Sequence, residues 1–233
     1  AGRTVPRRLA NRISFALPPG TSAPIVGSTT VHAPVLRVPP PEPIEIAPPL
    51  RGAGWVSANA CCDPLLEHRS FVFPSNGTFV TSEMFAVDYI RLSDGRFYEG
   101  DGTANTAWFG FGAPVRAAAA GKVVVAVGDR VDIPPFGEPN PTVHAPSQFP
   151  GNNVVVRMRR GVFAHYAHLQ PGSIPVEVGD RVRTGQRVGF LGNSGNTSGP
   201  HLHFAVADGR HTLSSNSLPF EIDHFRLEGT AEN

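Results

Sequence analysis

Turn-forming residues interrupt this chain at short intervals, and their spacing limits what it can fold into. The 25 glycines and 24 prolines among 233 residues separate short runs rich in Val, Phe and Thr. These runs lack the 3.6-residue apolar period that marks an amphipathic helix. The sequence therefore predicts an all-β domain whose strands are joined by many turns.

The clearest strand signals lie after residue 54 and indicate an antiparallel β-sandwich or partly open barrel. The Pro-rich stretch between Asp132 and Pro150 has no periodicity, and we expect a surface loop there that rims a cleft. The predicted strands are Phe71–Phe73, Thr78–Leu92, Gly121–Val127, Val154–Arg159, Val162–His168, Arg187–Leu191, His201–Ala207 and Phe220–Arg226.

The first 50 residues have a different texture. They hold the run Pro39-Pro40-Pro41 and two strand-like fragments, Arg12–Leu17 and Pro34–Val38. We interpret residues 1–50 as a Pro-rich N-terminal β segment with a stiff linker, residues 51–227 as the main domain, and residues 228–233 as a tail.

Charge and hydropathy exclude several classes of function. The net charge is +1 and the basic residues are scattered, so no nucleic-acid footprint is expected. No apolar run approaches the roughly 18 residues that a membrane-spanning segment needs. The chain begins with Ala and not with Met, so we expect a processed form. We also expect a monomer.

The segment His201-Leu202-His203 is the strongest candidate for a metal site. In a strand His201 and His203 face the same side, so one can bind a metal while the other lies beside the water that the metal activates. By itself the pattern is weak, because nine histidines in a chain of this length give one His-x-His by chance in roughly one sequence of three.

Two further segments carry candidate ligands. His165 and His168 lie three residues apart in an apolar run, so strand alternation puts them on opposite faces and only one can look into a given cleft. Asp88 lies among apolar residues, where an unpaired carboxylate is costly and a cation partner is expected. The alternative for Asp88 is a position at the end of a strand.

A longer set of motifs resembles the hallmark stretch of the lysostaphin-type zinc metallopeptidases, over about residues 54–226. The resemblance implies a barrel of the duplicated hybrid motif type and a Zn²⁺-dependent endopeptidase that cuts peptide cross-links or stem peptides of peptidoglycan. It also implies an extracytoplasmic location, whether periplasmic, cell-wall associated or secreted. The matching segments are Pro114–Val123, Tyr166–Leu169, Val178–Val182, Gly185-Gln186, Gly189 and Gly192–Phe204.

The resemblance also implies roles for single residues. Asp88 and His203 match zinc ligands of that family, and His168 and His201 match its catalytic histidines. The chain departs from the family at Met84, where a histidine ligand is common, and a thioether is a poor ligand for zinc.

His68 is predicted to supply the third ligand. If Ser75-Asn76-Gly77 forms a three-residue hairpin loop and Pro74 opposes Thr78, the register places His68 opposite Met84 and on the face of Asp88. Some relatives resemble this chain in having a His-Arg pair at this point. The adjacent Cys61 and Cys62 are the rival ligands, since thiolates bind zinc well.

Two other functions remain as alternatives. A non-hydrolytic relative with the same fold would bind cell-wall peptide or activate another hydrolase. A phosphocarrier or lipoyl-type module resembles this chain over Ala117–Gly121 and Val178–Gly189. The carrier would use a histidine nucleophile and would not need His68 and Asp88 beside the histidine pair.

Overall fold

The computed structural model describes residues 8–10, 12–14, 30–32, 36–37, 44–60, 65–75, 77–137 and 143–229. The chain divides into two compact units, Ala1–Pro43 and Ile44–Asn233. In the first unit, β1 (Arg8–Leu9) pairs with β4 (Leu36–Arg37), and β2 (Arg12–Ser14) pairs with β3 (Thr30–His32). Both pairs are antiparallel.

The second unit begins seven residues before the predicted main domain, at Ile44 rather than residue 51. The reason is that Ile44, Ile46 and Leu50 are buried in its core. The strand β5 (Glu45–Ile46) also pairs in parallel with the C-terminal strand β17 (Glu221–Ile222). Residues 44–50 are therefore part of the second unit and not a linker that leads to it.

The second unit is built almost entirely from strands and turns. Its described residues include one short α-helix, α1 (Glu67–Ser70), and 3₁₀ turns at Asn105–Ala107, Pro146–Gln148 and Thr212–Ser214. None of the helices in the described part of the chain is long and apolar enough to cross a membrane. Its other strands are β6 (Trp55–Ala58), β7 (Phe73–Ser75), β8 (Thr78–Val80), β9 (Val87–Arg91), β10 (Pro114–Arg116), β11 (Gly121–Val127), β12 (Asn152–Arg159), β13 (Val162–Leu169), β14 (Arg181–Val182), β15 (Arg187–Phe190) and β16 (Leu202–Ala207).

A seven-stranded antiparallel sheet dominates this unit, in the order β14-β11-β12-β13-β16-β9-β6. A smaller antiparallel pair, β10 and β15, adds to the same core. The predicted all-β, antiparallel fold class is confirmed, as an open arrangement and not a closed barrel. The largest fully buried core side chains include Tyr166, Phe204, Leu169, Leu191, Leu202, Val115, Val123, Val154, Val156 and Val188.

Strand alternation gives the two faces of the large sheet different roles. On β16, Leu202, Phe204 and Val206 are fully buried in the apolar core. His203 therefore points to the opposite face. It pairs there with Asp88 of β9 on one side and with Ala167 of β13 on the other. One face of the sheet packs in the apolar core, and the opposite face carries the polar site.

The structure corrects the predicted hairpin. Ser75 opposes Thr78 and Pro74 opposes Phe79, so the loop has two residues and not three. A two-residue loop matches the twist of paired strands better than the predicted loop does. The predicted strand Thr78–Leu92 is likewise split, because a turn over residues 81–86 separates β8 from β9.

Candidate active site

Asp88 is the residue on which the site converges. It is 7% exposed, and its Oδ1 lies 2.9 Å from Nδ1 of His203. Asn59 donates its side-chain N–H to Oδ2 at 2.9 Å. Nε2 of His68 lies 3.4 Å from Oδ2, and Nε2 of His201 lies 3.4 Å from Oδ1. One buried carboxylate thus contacts three imidazoles, one from His68 and two from the His201-Leu202-His203 segment.

His68 reaches the site by a route different from the predicted one. It lies in α1, not in a strand opposite Met84, so the register that placed it there is wrong. Its ring lies 5.2 Å from the ring of His203 and nearly perpendicular to it. The structure therefore brings His68, Asp88 and His203 together, and their roles as metal ligands stay a prediction.

His168 and His201 line the same site. Their ring centroids are 4.8 Å apart, and the ring of His168 lies 5.9 Å from that of His203. Nδ1 of His168 donates to the carbonyl of Ser194 at 2.8 Å, and Nδ1 of His201 donates to that of Gly199 at 2.8 Å. Since a carbonyl can only accept, each ring has a proton on Nδ1, and Nε2 is the nitrogen that these two hydrogen bonds leave for the site.

The expected alternation between His165 and His168 does not hold. His168 has a left-handed φ of 59° at the end of β13, which breaks the alternation and turns its ring toward the site. His165 pairs with Ala205 and so lies on the same face as His203. Its Nε2 donates to the carbonyl of Gly209 at 2.8 Å, which leaves it a structural role. Such backbone strain is common at functional sites.

The charges of the site depend on two buried carboxylates. Burial opposes the charged form of His203, but Glu83 and Asp88 outweigh it and raise the pKa of His203 to about 10. Burial also opposes the charged form of Asp88, yet His201 and His203 hold its pKa well below the ordinary value. Burial, assisted by His201 and His203, keeps the pKa of His168 well below that of an ordinary histidine.

These donors suit a divalent metal ion. Ligand atoms of His168, His201 and His203 lie within 4.8 Å of one another, and so do those of His68, Glu83 and His203. Imidazole nitrogens with carboxylate oxygens are the ligand set of catalytic zinc sites. Both carboxylate oxygens of Glu83 are buried without an aligned hydrogen-bond donor, and Oε2 lies at ion-pair distance from Nε2 of His203.

The sequence predictions missed two residues of the site. Glu83 could have been suspected from an acidic side chain beside Met84, the position where the family has its ligand. Asn59 gave no signal, because its contact with Asp88 depends on a left-handed turn after β6. Cys61 and Cys62, the rival ligands, lie outside the described residues.

Residues 107–215, just under half of the chain, match the profile of Peptidase family M23. Over this stretch the chain resembles the M23 peptidases. The matched stretch contains His168, His201 and His203 and begins after His68 and Asp88. The family therefore agrees with the lysostaphin-type resemblance, while the first part of the candidate site lies outside the match.

Curated relatives resemble the chain over short segments. A protein described as peptidoglycan DD-endopeptidase ShyC, from Vibrio cholerae serotype O1, is 43% identical over 58 residues, or 25% of this chain and 13% of that protein. A DD-carboxypeptidase/endopeptidase Mpg from Neisseria meningitidis serogroup B is 43% identical over 54 residues, or 23% of this chain and 12% of that protein. The matched part is thus only about an eighth of each relative's length.

Solved structures that resemble this chain include a zinc-containing peptidase from Vibrio cholerae. It is 30% identical, with a TM-score of 0.31, over 41% of this chain and 24% of the other. Lysostaphin from Staphylococcus simulans is 23% identical, with a TM-score of 0.37, over 57% of this chain and 40% of the other.

Proposed function

We propose that this chain is a zinc endopeptidase that hydrolyses peptide cross-links or stem peptides of bacterial peptidoglycan. The observation that carries the proposal is the convergence of His68, His201 and His203 on the Asp88 carboxylate, with the ring of His168 beside that of His201, on the polar face of the large sheet. The M23 match and the relatives described as peptidoglycan DD-endopeptidases support the class of substrate.

His68, Asp88 and His203 would hold the zinc ion. Three protein ligands leave a further position open, which is the arrangement of catalytic rather than structural zinc sites. When bound there, zinc would polarise the substrate carbonyl and make water nucleophilic near neutral pH. The site is buried on the sheet side, so its charges act in a medium of low polarity and interact more strongly than they would in water.

His168 and His201 would manage the protons of the reaction. The Nδ1 of each donates to a backbone carbonyl, so Nε2 is the nitrogen of each ring that would accept a proton from the attacking water. The water oxygen bonds to the carbonyl carbon, the carbon–nitrogen bond breaks, and the accepted proton passes to the leaving amine. The other imidazole lies close enough to help stabilise the negative charge that develops on the carbonyl oxygen.

An aromatic group beside the site gives the substrate a wall to bind against. Trp108 lies 4.9 Å from Tyr98 and 5.8 Å from Phe136, measured between ring centroids. The backbone N–H of Phe136 donates to the carbonyl of Ser198 at 2.7 Å, three residues before His201. Phe136 belongs to the Pro-rich stretch 132–150, and we propose this stretch as a determinant of substrate choice.

The remaining expectations follow from the substrate. Peptidoglycan lies outside the cytoplasmic membrane, so we propose an extracytoplasmic location, either periplasmic or secreted. The net charge is only +1, so we propose that the enzyme does not bind nucleic acid. We also propose that it acts as a monomer.

Digestion of purified peptidoglycan tests the function. Wild-type protein, His203→Ala and the control His224→Ala, which changes an exposed histidine, are incubated with it, and the released fragments are identified by mass spectrometry. Wild type and His224→Ala should release peptide fragments with new amino termini, and His203→Ala should release none. A wild type that binds zinc and co-sediments with peptidoglycan but releases nothing would favour the non-hydrolytic alternative.

A further inference from the structure

Glu83 is a buried carboxylate in contact with the candidate metal site. It is 3% exposed, and its Oε2 lies 2.9 Å from Nε2 of His203. The contact is an ion pair and not an aligned hydrogen bond, since neither oxygen of Glu83 has an aligned donor. A buried carboxylate in this state is costly unless a cation compensates it. The imidazole of His203 is the group that faces it.

The turn that carries Glu83 is fixed by backbone contacts. The backbone N–H of Ala86 donates to the carbonyl of Glu83 at 2.8 Å, which closes the turn. Ser217 clamps the turn at both ends, because its Oγ accepts from the N–H of Phe85 at 2.9 Å and its N–H donates to the carbonyl of Thr81 at 3.1 Å. The position of Glu83 is therefore set independently of its contact with His203.

The two nitrogens of His203 face different surroundings. Nδ1 faces Asp88, whose carboxylate also contacts His68 and His201. Nε2 faces Glu83. The point where most donors meet is on the Nδ1 side, and a single imidazole cannot direct both nitrogens at one ion. A metal on the Nδ1 side leaves the Nε2 proton in place, where it faces the Glu83 carboxylate at ion-pair distance.

We propose that Glu83 is a positioning residue that holds His203 through Nε2, so that Nδ1 faces Asp88 and the metal. The inference rests on the proposed metal centre but not on its catalytic activity. It gives the chain a carboxylate–histidine–metal arrangement, in which the outer carboxylate fixes the tautomer and raises the basicity of the ligand. Glu83 precedes Met84 in the sequence, but its carboxylate is not itself a metal ligand in this arrangement.

Zinc affinity tests this role. The affinities of wild type, Glu83→Gln, Glu83→Leu and the control Glu99→Gln are measured by competition with a chromogenic chelator. Glu83→Leu should bind zinc about 10- to 100-fold more weakly, the loss typical of an outer carboxylate. Glu83→Gln should lose less, because an amide oxygen still accepts from Nε2, and Glu99→Gln should match wild type because Glu99 is exposed. Equal affinities for Glu83→Gln and Glu99→Gln would overturn the proposal.

The nitrogen that binds the metal provides a readout that a merely structural role would not move. In zinc-loaded, ¹⁵N-labelled protein, the side-chain nitrogen shifts of His203 should show metal on Nδ1 and a proton on Nε2. Metal on Nε2 would overturn the proposal and make Glu83 a direct ligand. If Glu83→Leu does not fold, judged by circular dichroism of the metal-free protein, Glu83→Gln and the wild-type spectrum still decide.

The same measurements separate this inference from the proposed function. Zinc bound through Nδ1 of His203, in a protein that releases no peptidoglycan fragments, would support the role of Glu83 and count against the peptidase. Fragment release with zinc on Nε2 would do the reverse.

Discussion

His203 and Asp88 are paired directly across two neighbouring antiparallel strands, with Nδ1 of the one 2.9 Å from Oδ1 of the other. They are 115 residues apart in the sequence. Directly opposed residues share a face of the sheet, so the pairing of β16 with β9 brings the ligand candidates together on the face away from the core. The distance between His203 and Asp88 is therefore set by the register between β16 and β9.

Asp88 should be indispensable for metal binding. Replacement by Asn removes the charge shared by three imidazoles, and we expect the zinc affinity to fall by at least about 100-fold, with loss of peptidoglycan cleavage. Zinc content after dialysis, measured by inductively coupled plasma mass spectrometry, checks this. Asp94→Asn, a change at an exposed carboxylate, is the matched control and should retain full zinc content.

Zinc affinity should rise with pH. His203 has its pKa raised to about 10, so below that pH the ring must lose a proton before Nδ1 can bind the metal. The affinity should therefore increase about tenfold per pH unit between roughly pH 7 and 9, and calorimetry in buffers of different ionisation enthalpy should detect the proton released. An affinity that does not change over this range would contradict the protonated state of His203.

The metal-free protein should lose stability in mild acid through His165. Burial lowers the pKa of His165 to about 4, so the folded state keeps it neutral while the unfolded chain takes up a proton near the ordinary value of 6.5. The contribution of neutral, buried His165 to the free energy of unfolding is fully present above pH 6.5. It is lost as the pH falls from 6.5 toward about 4, and the loss is on the order of 3 kcal/mol. Urea unfolding at several pH values should show a smaller acid loss for His165→Gln than for wild type.

Phe136 should affect substrate binding more than turnover. Its ring is 54% exposed and packs against Tyr98 and Trp108 near the His201 loop. We expect Phe136→Ala to raise KM several-fold with little change in kcat, since uniform binding contributes to KM alone. Phe225→Ala, which removes another exposed ring, serves as the control. A fall in kcat with unchanged KM would place Phe136 in the chemistry instead.

The sequence predicted the strands on which the site depends better than the contacts within it. Gly121–Val127 has the predicted bounds, and β16 begins one residue later than predicted, since alternating or continuous apolar runs bounded by glycine mark buried strands clearly. His201, His203 and Asp88 converge because two such strands pair. Which strands pair is a long-range property, and the family resemblance supplied only the expectation that Asp88, His201 and His203 share one site.

Local backbone geometry explains what the sequence predictions missed. His68 arrives from a four-residue helix that has no apolar period to detect. His168 turns toward the site through a left-handed φ of 59°, which strand alternation does not anticipate. Glu83 lies in a turn whose shape is set by Ser217, more than 130 residues away along the chain. Such features depend on tertiary contacts and not on local residue patterns.

Anomalous diffraction at the zinc absorption edge tests the central claim most directly. Crystals of the zinc-loaded protein should show one strong peak about 2.0–2.2 Å from Nε2 of His68, a carboxylate oxygen of Asp88 and Nδ1 of His203. A peak elsewhere, or none in crystals grown with stoichiometric zinc, would contradict the assignment of these three residues as the metal centre.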